Sequence, residues 1–263
     1  MTKLLITNDD GIDAPALIPL ATAMREVGDV VVAAPSQERS WIGKAISRHN
    51  PIEVEKRQHD GIPMWAVDGY PADCVQVGSF GLLDELPDFV ISGINIGANK
   101  GSAFSTGSGT VAAAIEASNI GVPGIAFSAM SEGVWREWGP WAASADSLPM
   151  WTRLATVVAD IAATIVEAGF PTGVDALSVN LPAGAEIDTP RRVTTLARTS
   201  YGALFKANGT TYTHNWDGVL YTDGDREGSD LDVLDTGMVS ITPIRMATTA
   251  PLEDELIRQL ERS

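Results

Sequence analysis

The strongest constraint on the fold stands in the opening residues. Leu4-Leu5-Ile6-Thr7 is a short apolar run that stops at Asn8-Asp9-Asp10-Gly11, a string of turn-forming residues. Beyond it Leu17, Leu20, Ala21, Met24 and Val27 recur at helical spacing. Asp13 and Pro15 stand where a cap and an early helical proline would, while Pro19 fits the first turn poorly. A second apolar run, 30–34, ends at Pro35. Strand, helix and strand in such quick succession predict two parallel strands joined by a crossover, and so an α/β sheet covered on both faces.

The alternation continues. Strands are predicted over 64–67, 89–92, 124–128 and 176–179, and helices over 72–83, 110–118 and 151–168. This is a doubly wound sheet over roughly 1–180. After Pro190 the texture changes. Thr, Tyr, Gly and Asn alternate through 210–221 as in hairpins, with a strand over 239–242 and a short amphipathic helix over 252–260. The expected division is a core of 1–190 and a C-terminal extension of 191–263. That extension is either an arm packed on a partner subunit or an edge hairpin on the same domain. Four tryptophans, 135, 138, 141 and 151, fall in one stretch and read as core or cover packing, or as a pocket wall.

Composition narrows the function. A net charge of −16 argues against non-specific nucleic-acid binding. Any phosphate site must therefore find positive potential locally, in a bound cation or in aligned backbone N–H groups. The lone cysteine, Cys74, cannot form an internal disulfide and suits a reducing compartment. The opening turns polar at Asn8, too early for a signal-peptide apolar region, and no apolar run approaches the roughly 20 residues that span a bilayer. A cytoplasmic, soluble protein is the expectation.

Two loops carry the chemistry. Asp9 and Asp10 follow a predicted strand directly, where ligands bind in doubly wound sheets, and a turn there can bring both carboxylates to one hard cation. Alone the pair reads more readily as a solvated turn than as a cation site. The second loop, Ser92-Gly93-Ile94-Asn95-Ile96-Gly97-Ala98-Asn99-Lys100-Gly101, runs on to Ser108-Gly109-Thr110 and feeds a helix. Free N–H groups and the helix dipole make that start an anion site. Asn95 and Asn99 offer neutral oxygens or amide donors. The loop is neither a P-loop nor a dinucleotide fingerprint. His49, His59 and His214 fall in no motif. Lys44 and Arg48 read as solvated loop charges or as phosphate contacts.

Together the loops are far more specific. Asn8-Asp9-Asp10-Gly11-Ile12-Asp13-Ala14-Pro15 and Ser92-Gly93-Ile94-Asn95-x-Gly97-x-Asn99 closely resemble the signatures of SurE-type 5′/3′-nucleotidases. So do Ala34-Pro35 with Ser40, Pro71-Ala72-Asp73-Cys74-Val75, Ser108-Gly109-Thr110-Val111-Ala112-Ala113 and Gly121-Val122-Pro123. Val179-Asn180-Leu181-Pro182 and Ser240-Ile241-Thr242-Pro243 complete the series in the family's order.

The resemblance implies a Rossmann-like three-layer α/β/α core, with a C-terminal hairpin-and-helix extension exchanged in homodimers or homotetramers. It implies a divalent metal ion, Mg²⁺ or Mn²⁺, held by Asp9, Asp10, Ser40 and Asn95, and a phosphate loop at Asn99, Ser108, Gly109 and Thr110. The implied activity is hydrolysis of nucleoside 5′- and 3′-monophosphates, with Asp9 and Asp10 as catalytic carboxylates. An exopolyphosphatase of the same fold and a non-catalytic nucleotide or metal sensor are the alternatives. Neither a nucleic-acid polymer nor a membrane is an expected partner. The chain departs from the family pattern at Trp41, where glycine is usual, and at Ala103 and Gly107, where an acidic and an aromatic residue are usual. The loop there is also one residue longer.

Overall fold

The computed structural model describes residues 1–216, 219–246 and 249–261. β1 (Lys3–Thr7), α1 (Leu17–Met24) and β2 (Asp29–Pro35) form the predicted crossover, with the strands parallel from Lys3 against Asp29 to Ile6 against Val32. α1 begins at Leu17 without a side-chain cap, so Pro19 lies in its first turn, where the missing N–H has no partner to lose. A hairpin then brings in β3 (Val54–His59) and β4 (Ile62–Val67). β3 reads VEKRQH and lies almost wholly exposed at the sheet edge, so it carries no hydrophobic alternation to reveal it.

α2 (Pro71–Val77) starts from a capping box in which Asp73 reaches back to the Tyr70 N–H at 2.9 Å. It runs through a π turn at Gly78–Leu82 toward β5 (Phe89–Ile96). α3 (Gly101–Gly107) occupies what reads in the sequence as loop, and α4 (Gly109–Asn119) follows it. β6 (Gly124–Met130), α5 (Trp135–Ala142), α6 (Leu148–Ala168) and β7 (Ala176–Pro182) continue the winding.

Beyond 190 come β8 (Arg191–Val193), β9 (Thr199–Tyr201), β10 (Phe205–Asn208), β11 (Thr211–His214) and β12 (Leu220–Thr222). α7 (Asp230–Asp235), β13 (Val239–Ile244) and α8 (Asp254–Leu260) complete the chain. The main sheet has nine strands in the order β3-β4-β2-β1-β5-β6-β7-β13-β8. β1 and the strands flanking it are parallel, while β3 and β13 run antiparallel to their neighbours β4 and β7. The segment after 190 therefore divides in two. β8 and β13 return to the core sheet, whereas β9–β12 and β10–β11 pair only with each other. Asp217 and Gly218, inside the span read as hairpins, lie outside the described residues.

The strand alternation sorts the core into two layers. Leu4, Ile6, Ile91 and Phe127 face α1, α5 and α6, while Leu5, Ala33 and Val90 face α2 and α4. This is the expected three-layer α/β/α core. The helical stretch Ala145–Ala168 has a mean hydropathy of 1.2 and is, among the described residues, the one helix long and apolar enough by length and composition to cross a bilayer. The helix predicted from Trp151 begins three residues earlier, at Leu148. Its buried stripe of Met150, Trp151, Leu154, Val158 and Ile161 packs with α1 against the sheet, which accounts for the hydropathy as core burial.

Candidate active site

The sheet order reverses at β1: β2 lies on one side of it and β5 on the other. Such a switch point opens a crevice at the carboxyl ends of the two strands. The turn after β1 is closed by one side chain. Asn8 donates its amide to the Gly11 carbonyl (2.9 Å) and accepts the Gly11 N–H (3.1 Å), while Gly11 takes φ +100°. Asp9 and Asp10 are thereby presented from a fixed turn. Asp9 is 3 % exposed and Thr110 donates its hydroxyl to Asp9 Oδ1. The Asp9 carbonyl accepts the Arg39 N–H at 2.7 Å. Asp10 is partly buried, and its Oδ2 accepts the Ile96 N–H at 3.1 Å, which ties the β1 turn to the end of β5.

At the end of β5 the register against β6 shifts between Ser92 and Asn95, a bulge that re-aims the strand end. Gly93 makes it possible: it sits at φ +130°, and a Cβ there would come within 2.2 Å of the Phe127 carbonyl oxygen. Asn95 spends its amide on the Gly97 carbonyl (2.6 Å), and its Oδ1 accepts no hydrogen bond among the described residues. Asp10, Ser36, Glu38, Ser40 and Trp135 share the wall of one recess of about 570 Å³. Ser40 donates to Glu38 at 2.7 Å. Asp9 stands behind this wall against the start of α4, so close that a Cβ on Gly109 would lie 2.8 Å from the Asp9 Cβ.

The loop expected to take phosphate is more committed than its composition suggests. Ser108 caps α4 by accepting the Val111 N–H at 3.1 Å, and the Thr110 hydroxyl is spent on Asp9. Asn99 is 7 % exposed and turned inward. Its N–H donates to Asn180 Oδ1 (2.8 Å) and its amide to Ser128 Oγ (2.9 Å). Lys44 pairs with the buried Glu116 at 2.5 Å and is not a free phosphate contact. The tryptophans split: Trp138 and Trp151 are core, while Trp135 faces the recess beside Asp10.

Several contributors have no signal in the sequence. Glu38 is one polar loop residue among several. Asp230 accepts the N–H groups of Gly101 (2.6 Å) and Ala197 (2.9 Å), linking α7 to the loop from 129 positions away. Among the aromatics, Trp41 meets Phe104, Tyr201 and Trp216, and His214 joins them without a catalytic partner.

Electrostatics define what the pair lacks. Burial pushes both carboxyls above the ordinary aspartate range. Hydrogen bonds from Thr110 oppose this at Asp9, and the Asp9 charge adds to it at Asp10. The ion pairs among the described residues all lie elsewhere. Two adjacent carboxylates with no basic partner among the described residues, with the Ser40 hydroxyl on the recess wall beside Asp10 and the Asn95 amide oxygen at the neighbouring strand end, offer the all-oxygen chemistry that a hard divalent cation takes.

Comparison with known proteins identifies the family. The sequence model of the family described as "Survival protein SurE" matches residues 4–203. A protein named 5′-nucleotidase SurE from Methanocella arvoryzae is 39 % identical over 255 residues, covering 94 % of this chain and 93 % of that one. Another of that name from Geotalea daltonii is 39 % identical over 256 residues and 94 % of each chain. The crystal structure of the SurE protein from Aquifex aeolicus superposes with a TM-score of 0.74 at 28 % identity, covering 98 % of this chain and 97 % of that one. A switch-point carboxylate pair, a bulged asparagine loop and near-complete coverage by these relatives lead to one conclusion: the chain belongs to the SurE family.

Proposed function

We propose that this protein is a divalent-metal-dependent phosphomonoesterase, a 5′-nucleotidase that converts nucleoside 5′- and 3′-monophosphates to nucleoside and phosphate. The observation that carries the reading is the unpaired carboxylate couple Asp9–Asp10 at the switch point, set against the start of α4. Asp9, Asp10, Ser40 and Asn95 would hold the cation, Mg²⁺ or Mn²⁺. When bound it supplies charge neutralisation at the phosphoryl oxygens and lowers the pKa of water.

The chain's own groups do the rest. The start of α4 would set its helix dipole and the Ser108 hydroxyl toward the phosphoryl group, while the N–H groups of Gly109 and Thr110 hold the Asp9 carboxylate in place. Asp10 Oδ1, whose companion oxygen is held by the Ile96 N–H, accepts the proton of the attacking water. The new P–O bond forms as the ester P–O bond breaks, and the departing sugar oxygen takes up the proton that Asp10 accepted, leaving as the nucleoside hydroxyl and returning Asp10 to its carboxylate. Asn99 acts from behind, holding the loop through Asn180 and Ser128.

A panel of 5′- and 3′-monophosphates tests this, with Mg²⁺, Mn²⁺ or EDTA. Phosphate release that requires the metal and disappears in Asp9→Asn is expected. Absence of release across the panel from folded, metal-binding protein refutes it in favour of a sensor. A second reading, exopolyphosphatase activity, rests on a neighbouring recess of about 460 Å³ that shares Asp13 and Pro15 with the first and is lined by Arg57 and His59. Turnover of polyphosphate with mononucleotides left intact selects it. We also propose that the β10–β11 arm packs on a second copy in a homodimer or homotetramer, because it leaves Phe205 and Tyr212 exposed. A monomeric mass by light scattering would overturn that.

A further inference from the structure

Trp41, the residue after the recess-lining Ser40, is held in a strained conformation. Its φ of +61° is unusual for a bulky residue and marks a position that the surroundings over-determine. Both flanks are pinned. Arg39 donates its N–H to the Asp9 carbonyl (2.7 Å), and Gly43 donates its N–H to the Gly107 carbonyl (2.9 Å). Trp41 therefore bridges the carboxylate turn and the end of α3. Gly107 lies along the indole: a Cβ there would meet the ring in ordinary van der Waals contact at 3.6 Å.

Around the indole stand Phe104 from α3 (centroids 5.4 Å apart), Tyr201 from β9 (5.7 Å), His214 from β11 (5.4 Å) and Trp216 (6.4 Å). The contacts are edge-on or tilted, so none of these rings stacks flat on the indole, and 41 % of Trp41 remains open. A strained, open indole beside the Gly107 end of α3, with its ring face left uncovered by the rings that wall it, is a surface suited to a flat π-face.

Resting on the nucleotidase reading, we propose that Trp41 is the stacking platform for the substrate's nucleobase, with Phe104, Tyr201 and Trp216 as its walls. Stacking accepts every base and grips the larger purine face more strongly. The site is therefore base-tolerant with a purine preference, and its affinity for a nucleotide over a bare sugar phosphate comes from this rim.

The test compares 5′-AMP, 5′-UMP and ribose 5-phosphate on the metal-loaded full-length protein and on Trp41→Ala, Trp41→Leu and Trp41→Phe. The expected result is a fall of about tenfold or more in the ratio of kcat/KM for AMP to that for ribose 5-phosphate in the Ala and Leu variants. It arises in KM and is restored in large part by Phe. UMP should lose less than AMP. Leu keeps apolar bulk without a π-face, so it decides the matter if Ala does not fold. An equal loss on AMP and ribose 5-phosphate would overturn the proposal and make Trp41 a structural prop, or the seat of a second copy's arm. An unchanged ratio would overturn it as well. If wild-type protein releases phosphate from none of the three, the nucleotidase reading itself fails, a result separate from either of these.

Discussion

The carboxylate wall of the site and its aromatic rim are built by opposite means. Asp9, Asp10 and Asn95 stand at the ends of two adjacent parallel strands, and the turns that aim them close on neighbouring residues such as Asn8 with Gly11. The rim gathers Trp41, Phe104, Tyr201 and Trp216 from four separate segments, and no hydrogen-bonded ladder joins them to one another. The wall is rigid because a sheet fixes it. The rim is placed by long-range tethers such as Asp230. On the proposed reading, chemistry resides in the part that the sheet fixes, and recognition in the part that can differ from one relative to another.

The largest expected effect breaks the wall chemically while sparing its shape. Asp9→Asn should lower phosphate release by about 10³-fold or more, as EDTA should reversibly, with no loss of folding stability in metal-free buffer, because a buried charge is removed. Activity within tenfold of wild type would remove Asp9 from the chemistry. Gly109→Ala breaks the same wall by shape alone. Its added methyl falls 2.8 Å from the Asp9 Cβ, so the carboxylate must shift. A loss of about 10²-fold in kcat is expected, since displacements of about 1 Å at a reacting centre cost that much. Kinetics at saturating substrate check it.

This contrast also explains what could be read in the sequence. The sheet, its two-sided cover and the Asp9–Asp10 turn were legible, because apolar runs and turn strings are local signals. Thr110 was legible as part of a loop but not as the partner of Asp9, a contact spanning 101 positions. β3 was invisible because an exposed edge strand needs no apolar face, and α3 because its GSAFSTG composition reads as loop. The return of β13 to the core sheet, which divides the expected extension, depends on register against β7. The aromatic rim depends on tertiary placement, to which a lone Trp41 or Tyr201 gives no clue.

The next effect tests the rim's tether. Asp230 is fully buried, and burial raises its pKa against the hydrogen bonds from Gly101, Ala197 and Leu231 that lower it. Asp230→Ala leaves the Gly101 and Ala197 N–H groups unpaired, and stability should fall by about 2–3 kcal/mol in urea unfolding. Nucleotide KM should rise more than kcat falls, because α3 and β9 carry rim residues and no catalytic carboxylate. Asp230→Asn keeps an acceptor and should lose less. A kcat effect as large as that of Gly109→Ala would erase the distinction between wall and rim.

The smallest effect concerns the segment that carries Trp41. Glu116 on α4 is buried, which by itself raises its pKa. Hydrogen bonds from Lys44 (2.5 Å), Gln76 (2.5 Å) and Asn119 (3.0 Å) overcome this and hold it below the ordinary glutamate value. A carboxyl depressed on folding contributes stability that is present above its unfolded pKa, ~4.3, and is lost as pH falls through the lower folded value. Lys44→Met removes the charged partner and leaves the two amides. Wild type should exceed the variant by about 1 kcal/mol near neutral pH, a pair with one exposed member being worth little more. That margin should close as the pH drops below ~4.3 and Glu116 takes up its proton in both proteins. Urea unfolding of the two proteins across that range measures it. A margin that stays constant with pH would show that the lysine stem, packed along the segment, rather than its charge, seats residues 39–44 against α4. The rim would then be fastened to the wall by apolar packing alone.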